Sequence, residues 1–302
     1  MDKESTKGSQ ADLEAVRLFW EKEPCGTQHG EDPANRKHYY DSIEKARYSR
    51  EPFIPPFAEF DKAHGLKVLE VGVGVGTDFL QWLRAGAIAT GIDLTETSVK
   101  LVSERLELEG FRNGKHYNLL RGNAEHLPFG DSEFDMVYSW GVMHHTTDTR
   151  KAVNEAFRVL KPGGTIKIMI YHPFCWIAIV LWIRHALLKG RPFTGLRRIV
   201  FDHVESPGTK TFTAREARDM FKATGFTDIT TGRSLSTGDL LMNELGPGHG
   251  KPGRLFLSAL MAIYPRWLVR LIGPSLGLNL MIKARKPADD GRLAPGKPTR
   301  SA

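Results

Sequence analysis

The chain has 302 residues, 41% hydrophobic and 25% charged, with a net charge of +7, proportions that suit one large domain with elaborations or two small ones. The charge does not mark a nucleic-acid face: six Lys/Arg sit in the last twenty residues, a Pro/Gly-rich tail, and the first fourteen residues carry −2. Cys25 and Cys175 lack metal-ligand spacing and favour a reducing compartment over a disulfide scaffold, and the polar start "MDKESTKGSQAD" has no signal-peptide centre. The expected location is the cytoplasm.

In chain order, residues 1–12 read as disordered and 13–64, rich in aromatics and prolines, as an N-terminal cap. A regular alternation follows. "LKVLEVG" (66–72) is a predicted strand, Thr77 to Arg84 a helix, "AIATGIDL" (87–94) a strand and Glu96 to Glu109 a helix. "YNLLRG" (117–122) and "FDMVYSW" (134–140) are strands. Thr149 to Leu160 is a helix, and a Lys161-Pro-Gly-Gly turn leads into the strand "TIKIMIYH" (165–172). Strands alternating with helices imply parallel βαβ units and a doubly wound α/β sheet, with ligands at the carboxyl ends of the strands.

After Tyr171 the rhythm breaks. "FCWIAIVLWI" (174–183) is ten apolar residues, too short for a bilayer span of roughly 20, so it reads as a buried or interfacial helix. A helix over 213–223, the strand "FTDITTGRS" (226–234) and the strand "LGLNLMIKARK" (276–286) close the domain, after a second apolar stretch, 255–272. The domain runs over 65–286 with insertions at 173–200 and 236–275, and 287–302 is a disordered tail. Two internal basic runs lie beside the apolar stretches: Arg184, Lys189, Arg191, Arg197 and Arg198, then Lys251, Arg254, Arg266 and Arg270. That pairing suits a membrane surface or an amphipathic ligand.

"LEVGVGVGTDF" (69–79) places Gly72, Gly74 and Gly76 between strand and helix, where backbone amides can approach a ligand. The spacing is neither G-x-G-x-x-G nor a P-loop. Glu70 just before the turn disfavours phosphate and favours a cationic or amine-bearing ligand. Asp93 ends the next strand, where an acid accepts from ribose hydroxyls. Gly76 serves helix packing.

These stretches, with "GIDLTETSV" (91–99), "GNAEHLPFGDSEFDMVYS" (122–139) and "VMHHTTDTRKAVNEAFRVLKPGG" (142–164), resemble class I S-adenosylmethionine-dependent methyltransferases of the small-molecule type that includes quinone and sterol methylases. The resemblance covers about 66–171. It implies a mostly parallel seven-stranded Rossmann-like sheet closed by a reversed hairpin, and S-adenosylmethionine as cofactor. The Glu70 region, Gly72 and Gly74 would cradle the methionine part, and Asp93 would hold the ribose. Leu94 would lie against adenine, with Asn123 and Ala124 at its edge; Asn123 stands where the family usually has Asp. Ser139 and Trp140 would sit under the sulfonium. Tyr48 either closes over the cofactor as part of a lid or packs as an aromatic.

Methyl transfer needs alignment above all, and a base only where the acceptor is protonated. The candidate catalytic residues are His172, His144 and His145, the last two weighed against plain packing or capping of their loop. No metal site is expected. The expected function is methyl transfer to a small lipophilic or aromatic acceptor at O, C or N, with peripheral membrane contact through the apolar and basic insertions. The rival readings are an RNA or protein methyltransferase, a non-catalytic binder of the same nucleoside, and a nicotinamide dehydrogenase. Nothing resembling an appended RNA-binding module or an N-P-P-Y stretch supports the first of these, so nucleic acid is not an expected partner.

Overall fold

The computed structural model describes residues 10–206, 208–240, 267, 269, 271 and 273–288. Seven strands form one sheet in the order β3-β2-β1-β4-β5-β7-β6. They are β1 (Lys67–Val71), β2 (Ile88–Asp93), β3 (Tyr117–Arg121), β4 (Phe134–Trp140), β5 (Leu160–Tyr171), β6 (Thr227–Ser234) and β7 (Asn279–Arg285). β7 alone runs antiparallel to its neighbours, β5 and β6, so the reversed closing hairpin expected from the sequence is present. β5 starts five residues earlier than expected. It takes in the Lys-Pro-Gly-Gly turn, and the register against β4 shifts there from Phe134↔Leu160 to Met136↔Thr165.

The crossover helices α4 (Thr77–Arg84), α5 (Glu96–Leu108) and α6 (Thr149–Val159) cover the two faces. Each start is written in the sequence. The Thr95 side chain accepts from the Ser98 N–H, Asp148 accepts from the Lys151 N–H, and Thr213 forms a capping box with Glu216 at the head of α9 (Ala214–Thr224). Such caps are each worth about 1 kcal/mol. Strand alternation splits the core. Val68, Met136, Tyr138, Trp140, Met169 and Tyr171 pack on one face, while Leu69, Val137, Ile166, Ile168 and Ile170 pack on the other.

The N-terminal region forms α1 (Gln10–Lys22), α2 (Arg36–Arg50) and α3 (Ile54–Ala58). α1 starts two residues before the end of the segment read as disordered. It docks by Glu21, whose carboxylate accepts from the Thr97 N–H and hydroxyl at the head of α5. α2 docks through Arg36–Glu104 and Glu44–Arg105, the latter Arg being almost fully buried. α3 ends at Glu59, which holds a left-handed φ of 58°. Its carboxylate receives the ammonium groups of Lys167 on β5 and Lys283 on β7, each at 2.8 Å, and also that of Lys62. These three hydrogen-bonded cations hold the Glu59 carboxyl far below its usual range.

The 174–183 apolar run is α7 (Trp176–His185), shifted by two residues. A helix not anticipated, α8 (Leu196–His203), packs against it. Among the described residues no helix is long and apolar enough to cross a membrane. Most of the second apolar stretch, 255–272, and of the insertion at 236–275 lies outside the described residues, as do the tail from 289 and residues 1–9.

Candidate functional site

A cavity of about 1010 Å³ lies under the cap, at the carboxyl ends of β1, β2 and β4, and reaches α7 and Leu278. That is the end of the sheet where such folds place ligands. The glycine turn forms its floor. Gly72 has φ +81°, and a Cβ there would fall 2.2 Å from a Val142 methyl, so no side chain fits. A Cβ at Gly76 would meet the Val102 methyls at 3.1 Å, which bears on helix packing rather than on a ligand.

Two acids sit beside the turn, Glu70 buried and Asp93 half-buried. Glu70 accepts from the Trp82 indole N–H at 2.8 Å. Burial first, then the charge of Asp78, push its pKa well up. Asp93 accepts from the Thr95 N–H (3.0 Å), the Thr95 hydroxyl (2.8 Å) and the Gly74 N–H (3.1 Å), yet burial still raises its pKa. A cationic ligand, which favours the ionised form of both acids, fits this end of the cavity. Leu94, Asn123, Ala124 and Trp140 also line the cavity. Asn123 Oδ1 already accepts from the Glu125 N–H at 2.9 Å. Trp140 is wedged between Phe53 and Phe57, at ring distances of 5.9 and 5.7 Å.

Four of the sequence candidates do not reach the cavity. Ser139 points to the opposite sheet face and donates to the Val71 carbonyl at 2.9 Å. Tyr48 does not line the cavity; it donates to Asp78 at 3.0 Å and helps fasten the cap. His172 lies past the end of β5, its backbone bonded to Leu278, and burial lowers its pKa to about 4. His144 is fully buried, with both ring nitrogens lacking hydrogen-bond partners. It stacks on Tyr171 at 4.0 Å and on His145 at 4.1 Å. Burial, then the neighbouring His145 and Lys210 charges, drive its pKa well below normal, so it stays neutral.

His145 does line the cavity. Its Nδ1 is held by the hydroxyls of Ser206 (2.8 Å) and Thr209 (3.1 Å). Its Nε2 lies 3.1 Å from Glu205 Oε2, out of hydrogen-bond alignment. The Tyr171 hydroxyl donates to Glu205 Oε1 at 2.8 Å. Glu205 itself sits in the left-handed region, φ 56°, a strain of about 1–3 kcal/mol for a non-glycine residue. Among the described residues, His144, His145 and Glu205 also make a group whose donor atoms lie within 4.8 Å, the composition of a two-His, one-carboxylate metal site. The bonds from Ser206 and Thr209 fix the His145 ring through Nδ1, and the bond from Tyr171 fixes one Glu205 oxygen.

Sequence reasoning missed Glu205, Tyr171, Arg47 and Asp78. Arg47 lines the cavity and makes a bidentate pair with Asp78, at 2.9 and 2.6 Å. Tyr138 adds a bond to the same carboxylate at 2.8 Å. The signal available was small: Asp78 is an acid in the first turn after the glycines. Glu205, in "VESPGT", carries no local pattern at all.

Residues 69–168 match the family model for a methyltransferase domain. Over 108 residues the chain is 38% identical to erythromycin 3''-O-methyltransferase of Saccharopolyspora erythraea, covering 35% of each. It is 32% identical over 114 residues to methyltransferase GfsG of Streptomyces halstedii, covering 37% of this chain and 40% of that protein. Over 178 residues it is 33% identical to phthiotriol/phenolphthiotriol dimycocerosates methyltransferase 1 of Mycobacterium ulcerans, covering 57% of this chain and 62% of the relative. The matches to the first two relatives thus span 40% and 35% of their lengths. Among solved structures, the [4+2]-cyclase SpnF superposes with a TM-score of 0.55 at 16% identity, over 94% of this chain and 97% of SpnF. Phosphoethanolamine N-methyltransferase 2 of Haemonchus contortus, solved with S-adenosyl-L-methionine, superposes at 0.56 and 18% identity, over 90% of this chain and 60% of the enzyme. These likenesses establish the fold.

Proposed function

We propose that this chain, whose residues 69–168 belong to the class I S-adenosylmethionine-dependent methyltransferases, transfers a methyl group to a hydroxyl of a small lipophilic acceptor. The observation that carries the reading is one cavity joining the glycine turn and its two acids to the apolar side of α7, with Glu205 also in its lining. At about 1010 Å³ it is at the upper end of ligand pockets, with room for cofactor and acceptor together. SpnF shares the fold and is a cyclase, so the activity is argued from the site.

The cofactor fits the residues present. The turn from Gly72 to Gly76 lines the cavity with backbone, Asp93 offers its remaining lone pairs to hydroxyls, and Glu70, its pKa raised by burial, would ionise beside a positive charge. Leu94, Asn123 and Ala124 form the wall for a flat base. When bound, S-adenosylmethionine supplies a methyl group on positively charged sulfur, already activated for displacement.

Glu205 is the proton acceptor in this reading. Its oxygens are held by Tyr171 and faced by His145, so a hydroxyl entering along α7 meets an oriented carboxylate. His145 is a positioning residue, and His144 and Tyr171 form the packed wall that fixes it. The walls along α7, Ile177, Ile179 and Val180 among them, favour an apolar acceptor. The cytoplasmic location belongs to this proposal.

The test is calorimetric titration with S-adenosylmethionine, S-adenosylhomocysteine and NAD, repeated on Asp93→Ala. Micromolar binding of the two sulfur nucleosides, absent for NAD and lost in the variant, supports the assignment; failure of both sulfur nucleosides to bind overturns it. Methyl acceptance is then screened across phenols, quinones and hydroxylated lipids.

A further inference from the structure

The described part of the molecule exposes its large apolar side chains unevenly. Several lie on α7, the segment that follows it and α8. Phe193 is 99% exposed and Leu188 74%, with Ile183 and Leu187 also exposed. Trp267 (70%) and Leu271 (75%), four apart in a helical segment, are exposed as well, while Val269 between them is buried and lines the cavity. A soluble protein rarely leaves an aromatic fully in water next to exposed leucines without a use for it.

The charge within this stretch of sequence has one sign. From His172 to Phe201 there is no Asp or Glu, and the stretch carries Arg184, Lys189, Arg191, Arg197 and Arg198. Arg197 and Arg198 pair with Glu216 and Asp202. Lys189 and Arg191, at the start of the loop that carries Phe193, form no ion pair among the described residues. Apolar tips ringed by cations complement an anionic lipid surface, where the rings enter the headgroup boundary and the cations meet phosphate. The same residues frame the way into the site: Ile183, Arg184 and Leu188 are exposed and also line the cavity.

We propose that the edge formed by the end of α7 and the loop to α8, with Phe193 at its tip, docks on an anionic phospholipid bilayer, and that the acceptor enters the cavity from that bilayer past Leu188. The entry route rests on the lipophilic-acceptor reading above; the docking does not.

The experiment is co-sedimentation of the full chain with vesicles of phosphatidylcholine mixed with phosphatidylglycerol, against phosphatidylcholine alone, at low and high salt. S-adenosylhomocysteine titration and thermal melting are run on the same preparations. The expected result is binding to the anionic vesicles that weakens with salt. Phe193→Ser combined with Leu187→Ser should weaken it about tenfold or more, and Lys189→Glu with Arg191→Glu should remove most of it. Both pairs leave melting and nucleoside binding unchanged. No sedimentation with anionic vesicles, or sedimentation that neither variant alters, overturns the docking. So does a wild-type oligomer that Phe193→Ser dissolves, because the loop then belongs between copies of the chain. Vesicle binding without nucleoside binding would overturn the methyltransferase reading and leave the docking standing.

Discussion

The two ends of the cavity are built from opposite materials. At the glycine turn, backbone amides, two carboxylates and the Arg47–Asp78 pair are locked by hydrogen bonds of 2.6–3.1 Å. At the α7 end the walls are aliphatic side chains, many of them half in water, on short helices outside the sheet. The first end is fixed by directional chemistry and suits one invariant ligand. The second is set by shape and apolar area, and changes to it alter what is accepted without disturbing the rest. Glu205 belongs to neither: it lines the cavity from a strained position after α8, bonded to Tyr171.

If that division is right, substitutions at the two ends separate binding of the nucleoside from turnover of the acceptor. The largest effect is expected at Glu205. Glu205→Gln should lower kcat by roughly 10² to 10⁴ with S-adenosylhomocysteine affinity unchanged, which single-turnover assays and titration together check. His145→Ala should cost less and shift the pH profile of kcat, as a positioning role requires. Unchanged kcat in Glu205→Gln would move the base elsewhere.

At the turn, Asp93→Asn should weaken S-adenosylhomocysteine by roughly 10- to 100-fold, the worth of charge-assisted hydrogen bonds. An equal loss at the α7 end from the same change would break the comparison.

Glu70 gives a pH test with a defined sign. Its folded-state pKa is raised well above 4.5, so above that pH the native state holds a proton the unfolded state has lost. Stability contributed by this group then falls as pH rises. Urea unfolding should find Glu70→Gln gaining on the wild type by up to about 1.4 kcal/mol per pH unit above that point, with a constant difference below it. A flat difference throughout would place the proton elsewhere.

The smallest effect belongs to the apolar walls. Val180→Ala removes two methyls from a half-buried face and should raise the acceptor KM roughly three- to tenfold, leaving nucleoside affinity alone.

The parallel sheet and its reversed hairpin were legible because strand and helix periods are local properties of sequence. So was the turn, since Gly72, Gly74, Gly76, Glu70 and Asp93 lie within one βαβ unit. What sequence spacing could not resolve was which of two neighbours faces the cavity. Strand pleat turns Tyr171 and Trp140 inward and His172 and Ser139 outward. Helical phase does the same for Arg47 and Tyr48 on α2, and a single 3-10 turn (Met143–His145) for His145 and His144. For Tyr171 and Arg47 the residue suggested by type was one position away from the one the fold presents, while for Trp140 and His145 the candidate pair was named and only its inward member reaches the cavity. Glu205 lay further off still: it enters by a long-range connection, 60 residues after His145 in the chain.

The Glu59 clamp has a dynamic consequence. It ties the end of α3 to two strands on the far half of the sheet, so the cap cannot lift as one piece without tearing two ammonium groups, those of Lys167 and Lys283, from one carboxylate. Nucleoside traffic therefore falls to the part of the cap upstream of α3. Hydrogen exchange should resolve the cap into two cooperative units: α3 amides opening only with the sheet, and α1 amides opening sooner and slowing once the nucleoside is bound.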